Sequence, residues 1–299
     1  MKTKIISAAV ASLALSALCV PSAQAFSLGG YTGGISFQFA AYDQGTNYAK
    51  PLGAPNFSGG NLCNSVGACD AVAPAAAKAP GALGSEDTWG IFRVTAILKN
   101  DGTNASLWTS GTGGEYITGM FGGLSDARVD YFVDGFGATS FNAISSGGFL
   151  NLYLDNQIAD YEAGAPLGAA GRTGAQSFTG ATNGTLLLSY AFAGTANANQ
   201  VGFGYASNFN GATLAGSGSG FLDLVGGSYA SQITKGTQID LNGDKRDAYV
   251  TAVYAPNGTA PKWTVTATGR KDTTVIPEPA SLALFGLGLA GLAALRRRK

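Results

Sequence analysis

Residues 149–155 read FLNLYLD. In an extended chain Leu150, Leu152 and Leu154 fall on one side and Asn151, Tyr153 and Asp155 on the other, because strand side chains alternate with a period of two. The same alternation recurs along the chain. Ile35, Phe37 and Phe39 alternate with Ser36 and Gln38; Phe92, Val94, Ala96 and Leu98 share a side. Val129, Tyr131 and Val133 oppose Asp130 and Asp134, and Trp263, Val265 and Ala267 oppose Thr264, Thr266 and Thr268. Further strands are expected over 185–192, 200–206 and 247–254. Clusters of Gly, Asn, Ser and Thr between these runs are turn formers. Helix-length connectors of the kind a parallel sheet needs are missing. The pattern predicts an all-β, antiparallel β-sandwich or jelly-roll-like ectodomain with short helices. Residues 157–162 and 221–233 are the expected helical pieces. Residues 71–83 and the Gly-Ser stretch 211–220 are expected as surface loops.

The two ends stand apart from this body. Lys2 and Lys4 precede an uncharged, mostly apolar run over 5–20, Pro21 breaks it, and Ala23-Gln24-Ala25 offers small residues at a cleavage site before Phe26. Residues 1–25 therefore read as a signal peptide cut between Ala25 and Phe26, with the secretion machinery and signal peptidase as partners. Cys19 leaves with it. Residues 26–274 form the expected extracellular domain. The whole chain has 18 Lys+Arg and 18 Asp+Glu, but both ends are basic, so the body is left acidic. A sparsely charged acidic body excludes nucleic acid as a partner, since that surface needs dense Lys and Arg.

Cys63 and Cys69 remain, an even pair across a short flexible loop in an exported chain, which reads as a disulfide. Two free thiols, or a metal site lacking its other ligands, are the alternatives. The chain has no histidine. That removes Ser-His-Asp and Cys-His catalysis and histidine metal ligation. Carboxylate chemistry of the glycosidase kind stays open.

Asp240, Asn242 and Asp244, in DLNGDKRDAYV, place oxygens at i, i+2 and i+4, a spacing suited to calcium. The loop resembles the calcium loops of dockerin-like and integrin-type repeats. It departs from them at Lys245, where those have glycine, and at Asp247, one position early for a distal ligand. The competing reading is a hairpin turning at Asn242-Gly243, a two-residue type I′ signal. Glu86 and Asp87 beside Trp89 suggest either a sugar or cation site or an ordinary strand edge. Tyr31, Tyr42, Tyr48 and Tyr153 are candidates for glycan stacking or for packing. No cofactor other than calcium is suggested.

Residues 275–299 close the chain. Pro277-Glu278-Pro279 precedes an apolar run over 280–295, then Arg296, Arg297, Arg298 and Lys299. As a helix the run is about 24 Å long, short against a hydrocarbon core of about 30 Å. The basic residues hold its end on the cytoplasmic side. This layout resembles the PEP-CTERM sorting signal of Gram-negative bacteria. The resemblance implies recognition by an exosortase, a membrane transpeptidase acting near the Pro-Glu-Pro motif. It implies export through the inner membrane, transient anchoring by a short membrane helix, and delivery to the cell surface or a matrix. It also implies association with exopolysaccharide and biofilm. The stretches EDTWGIFRVTAIL and GEYITGMFGGLSD look like the β-rich ectodomains often joined to this tail. The expected function is a non-enzymatic surface or matrix protein. The alternatives are a lectin-like glycan- or calcium-binding module and, more weakly, a carboxylate-based glycan hydrolase.

Overall fold

The computed structural model describes residues 28–46, 48, 59–72, 86–198, 200–256 and 262–276. Nine strands carry the architecture: β1 Gly33–Gly45, β2 Thr88–Lys99, β3 Tyr116–Val133, β4 Thr139–Asp155, β5 Thr185–Phe192, β6 Tyr205–Asn210, β7 Gly216–Gly226, β8 Ala248–Pro256 and β9 Val265–Val275. All their pairings are antiparallel. Chain neighbours pair in turn from β1 to β5, then β5 with β7, β7 with β8 and β8 with β9. Finally β9 pairs with β1 over Gly33–Val275 to Asp43–Val265. The sheet is therefore a closed eight-stranded up-and-down barrel. The short strand β6 shares one slot with β5, pairing β4 and β7 beyond β5's end.

A barrel thus replaces the expected two-layer sandwich or jelly roll. Alternation marks which side chains face inward, but it is silent on whether they meet a second sheet or their own sheet curled round. Here bulges do the curling. One falls in β2 opposite Gln38 and Phe39, and another interrupts the β3–β4 pair at Ala127. An extra residue bends its strand and sharpens the twist. The bulge at Thr95 also resets parity: Ile97 is buried, whereas Ala96 and Leu98, expected inward, are only partly covered.

The glycines have a specific place in this wall. Gly90 pairs with Phe121, Gly119 with Phe92, Gly122 with Phe149, Gly220 with Tyr205 and Gly269 with Phe39. In each pair the aromatic ring lies over its glycine partner. A methyl group on Gly90 or Gly269 would stand 2.6 Å from the facing ring. Ring area covers backbone that a side chain would otherwise cover, so strand glycine is tolerated. The stretch 211–220 follows the same logic. It was expected as a loop, yet Gly216 opens β7, and Gly218 leaves room for the hydroxyl ends of Tyr205 and Tyr254. Residues 221–233, expected helical, continue β7 and end in a 3-10 turn at Ala230–Gln232.

Apolar side chains fill the lumen. Phe37, Phe39, Phe92, Phe121, Phe192 and Leu150 surround a residual space of about 40 Å³. Eight strands leave an interior that side chains can just fill. Burying each such side chain fully contributes about 1.5–3 kcal/mol. A second apolar layer lies outside the wall. Helix α2, Ile158–Gly164, agrees with the predicted helical turn and is followed by a 3-10 segment, Ala165–Gly171. With Phe178 they cover Trp89, Ile91, Met120 and Trp263. The buried Arg172 guanidinium fastens this strap: it pairs with Glu86 at 2.6 Å, donates to the Ala175 carbonyl at 2.9 Å and lies 4.7 Å from the Trp89 ring. Helix α1, Val66–Val72, sits beside the short strand Gly59–Cys63, and the Cys63–Cys69 disulfide joins them.

Candidate functional site

Four places carry chemistry, and the Asp240 loop is the first. Gln238–Ile239 pairs with Lys245–Arg246, so a hairpin forms. It is a three-residue loop and not the two-residue type I′ turn. Asp240 Oδ1 accepts the Asn242 and Asp244 N–H groups at 2.9 Å, and Gly243 takes φ 90°. An aspartate that captures its own loop's N–H groups favours a type I turn followed by a left-handed glycine. Asp240 Oδ2 accepts from Thr195 N–H at 3.0 Å and Arg246 Nε at 3.1 Å. Arg246 also reaches Asp223 at 3.0 Å and Asp244 at 3.6 Å. The structure therefore brings Asp240, Asn242 and Asp244 together, with a guanidinium where a cation would sit. Burial acts to raise the Asp240 pKa, but the N–H donors and Arg246 outweigh it and hold it below the usual carboxylate value.

Glu86 and Asp87, the second place, serve the fold. Glu86 holds Arg172 and accepts the Gly123 N–H. Asp87 accepts the Asp126 N–H at 2.7 Å and the Thr46 hydroxyl at 3.1 Å. Trp89 belongs to the layer under the strap. Among the candidate tyrosines, Tyr48 is buried and donates to Asp126 at 2.7 Å, and Tyr42 stacks on Trp263.

The third place is the lumen, and its charged residues were not singled out by motif reading. The inward face of β1 runs Ile35, Phe37, Phe39, Ala41 and then Asp43. Asp43 is 4% exposed, and its Oδ1 has no hydrogen-bond partner. Burial pushes its pKa up to about 8. Asp126, nearby, accepts Tyr48 and Ser145 hydroxyls; burial, then the charge of Asp87, raise it to about 7 against those bonds. Farther along the same lumen, Lys271 faces Phe37 across the β1–β9 pair. Its Nζ lies 4.3 Å from the Phe37 ring centre and 3.0 Å from the Tyr190 hydroxyl. Burial lowers its pKa to about 7. Parity was the available signal: the inward series 35, 37, 39, 41 ends at 43, and the series 265, 267 continues to 271. Among the described residues, no group of three or more Asp, Glu, Cys or His side chains is placed to hold a metal.

The outer wall is the fourth. In register round the barrel stand Thr268, Val253, Ser217, Asn208 and Asn142, and below them Arg270, Thr251, Ser219, Ala206 and Ile144. Seven of these ten residues are polar, Arg270 being the charged one, and Val253 is an exposed apolar side chain among them. An apolar lumen inside a polar wall inverts the arrangement that lipid requires of a barrel. Beside it, between the strap and β1, lies a groove of about 510 Å³ lined by Tyr42, Arg93, Tyr161, Glu162, Lys262 and Thr266, among others. Arg93 and Glu162 face each other across it at 3.8 Å. Among the described residues that line it, Glu162 is the only carboxylate.

These features define an up-and-down antiparallel β-barrel with a packed lumen. No curated protein and no solved structure matches the chain. Residues 275–299 match the PEP-CTERM protein-sorting motif. That motif marks the protein for export, for recognition by an exosortase and for the cell envelope or surface. Among the described residues no helix is long and apolar enough to cross a membrane. The expected helix over 280–295, the motif Pro277-Glu278-Pro279, the basic residues 296–299 and the signal cleavage at Ala25–Phe26 all lie outside the described residues.

Proposed function

We propose that the protein is a non-enzymatic component of the cell surface or extracellular matrix, delivered by its sorting tail and in contact with exopolysaccharide in a biofilm. The tail acts first as a transient membrane anchor and then as the exosortase's substrate at Pro277-Glu278-Pro279. The observation that carries the matrix role is the outer wall of Thr, Ser and Asn. Such a surface presents hydroxyl and amide groups in register, which suits hydrogen bonding, direct or through water, to uncharged sugar hydroxyls. Retention of the secreted protein in a polysaccharide fraction tests this. Replacing Thr251 and Asn208 by glutamate should release most of it, and unchanged retention would contradict the reading.

A lectin-like site is the second reading, favoured by the groove beside Tyr42. Its volume is in the range of small-ligand sites, and its polar groups converge from the strap and the wall. Arg93→Gln with Glu162→Gln should then abolish binding on a glycan panel while leaving the fold intact. The hydrolase reading is the weakest, because the described residues of the groove offer one carboxylate where glycosidic chemistry uses two.

A further inference from the structure

The groove beside Tyr42 opens where the strap stops covering the barrel wall. Trp89, Ile91 and Arg93 follow one another on the outer side of β2; the first two are buried under the strap, and Arg93 is partly exposed. In register, Ala40 stands between Arg93 and Thr268, and Tyr42 between Ile91 and Thr266. Ala40 carries only a methyl group, so the wall dips between its taller neighbours. Tyr161 and Glu162 of α2, and Lys262 just before β9, complete the polar lining. The Lys262 backbone is held in place: its carbonyl accepts from the Gln44 side chain, and Gly168 of the strap packs against it.

The charges here do not balance. Two cations, Arg93 and Lys262, stand against the one carboxylate of Glu162, on a body that is otherwise acidic. Arg93 Nη1 is 3.8 Å from Glu162 Oε1, beyond hydrogen-bond length, and the two side chains are 43% and 61% exposed. An ion pair of that kind contributes little. Among the described residues Lys262 takes part in no ion pair. Burial, then Tyr42, raise the Tyr161 pKa, and the charge of Arg93 lowers it. The polar ends of these three residues therefore lie within electrostatic reach of one another. We propose that the groove binds an acidic sugar, a carboxylate-bearing residue of an anionic polysaccharide; this rests on the lectin-like reading of the groove. The sugar carboxylate takes the place of Glu162 on Arg93, in the forked geometry that suits two planar groups. Lys262 supplies the second positive charge. The Tyr42 ring, stacked on Trp263 at 5.7 Å, offers the sugar ring a fixed apolar face, and Thr266 and Thr268 offer hydroxyls to its own.

The test titrates the full chain with an oligogalacturonate, with its methyl ester, and with a sulfated neutral oligosaccharide of the same length. The ester keeps the sugar ring and loses the charge, so it should bind about tenfold or more weakly than the acid. Added salt should weaken binding of the acid and leave that of the ester unchanged. Arg93→Gln should bring the acid down to the affinity of the ester. Glu162→Gln removes the competing carboxylate and should tighten binding of the acid by up to about fivefold. Both side chains are exposed, so neither change threatens the fold. An ester bound as well as the acid, or an Arg93→Gln variant that still prefers the acid, would overturn the proposal and leave the lectin-like reading standing. Preference for the sulfated oligosaccharide over the acid would overturn it in the same way. Binding of no glycan at all, on these probes or on the panel, would remove the proposal and the lectin-like reading together.

Discussion

Two acid clusters in this barrel look alike by composition and differ in how their charge is met. Asp240 is buried at the hairpin with both oxygens filled, by N–H groups of Thr195, Asn242 and Asp244 and by Arg246. Asp43 is equally buried and has an oxygen with no partner. The first is a structural clasp that closes a turn and ties it to β7 through Asp223. The second is a buried carboxyl that holds its proton more tightly than usual and leaves one oxygen unpaired. The spacing that suggested a metal loop marks the satisfied cluster; the unanswered one lies in a strand with no motif at all. Hydrogen-bond satisfaction, and not sequence spacing, separates the two.

Removing the clasp should have the largest effect. Asp240→Ala leaves Arg246 and three N–H groups without their acceptor, and should cost about 3–5 kcal/mol in urea unfolding. A loss under 1 kcal/mol would erase the contrast with Asp43. Asp43→Asn should act in the opposite direction, stabilising the protein by about 1–3 kcal/mol at pH 8.5. A destabilisation there would mean that the carboxylate has a partner.

The pH profile sharpens the comparison further. Asp43 is raised from 3.8 to about 8, so the folded state holds its proton more tightly. Its contribution is whole below pH 4 and is lost as pH rises through about 8. Asp126, raised to about 7, adds to the same limb. Lys271 is lowered from 10.5 to about 7, so its contribution is whole above pH 10.5 and lost as pH falls through about 7. Asp240 is lowered, and its contribution is present above 3.8 and lost as pH falls through its depressed value. The protein should therefore be least stable near pH 7–8, between two limbs of opposite slope. Asp43→Asn should flatten the acid limb down to the part due to Asp126. A profile flat from pH 5 to 9 would contradict the burial of both charges. The smallest effect belongs to Asp244→Asn. Asp244 is exposed and 3.6 Å from Arg246, so the change should stay within about 0.5 kcal/mol.

Much of the wall was legible as sequence. The alternations at 35–39, 129–133, 150–154 and 263–267 each mark a strand, and the residues 185–192 give β5 to the residue. Closure was not legible, because hairpin order and bulges decide it, and neither leaves a period-two trace. Glycine misled in one direction. At 211–220 it reads as loop composition, yet Gly218 and Gly220 are the spaces that Tyr205 and Tyr254 occupy from neighbouring strands. That partnership spans the sheet and is invisible along the chain. The hairpin at Asp240 was legible in place but not in type, since the Asx contacts of Asp240 override the Asn-Gly signal. Asp43 and Lys271 could have been found by extending each strand's parity past its last apolar residue. The tail needed no fold at all, because a proline-bounded motif, a short apolar run and a basic end are local features.

The central claim is that residues 275–299 direct this barrel out of the cell and are processed on the way. The C-terminal mass of the protein recovered from the surface of a host with a matching exosortase tests it most directly. The account predicts a chain ending near Pro277-Glu278-Pro279, without Arg296–Arg298 and Lys299. A mature surface form that still carries those four residues would contradict it.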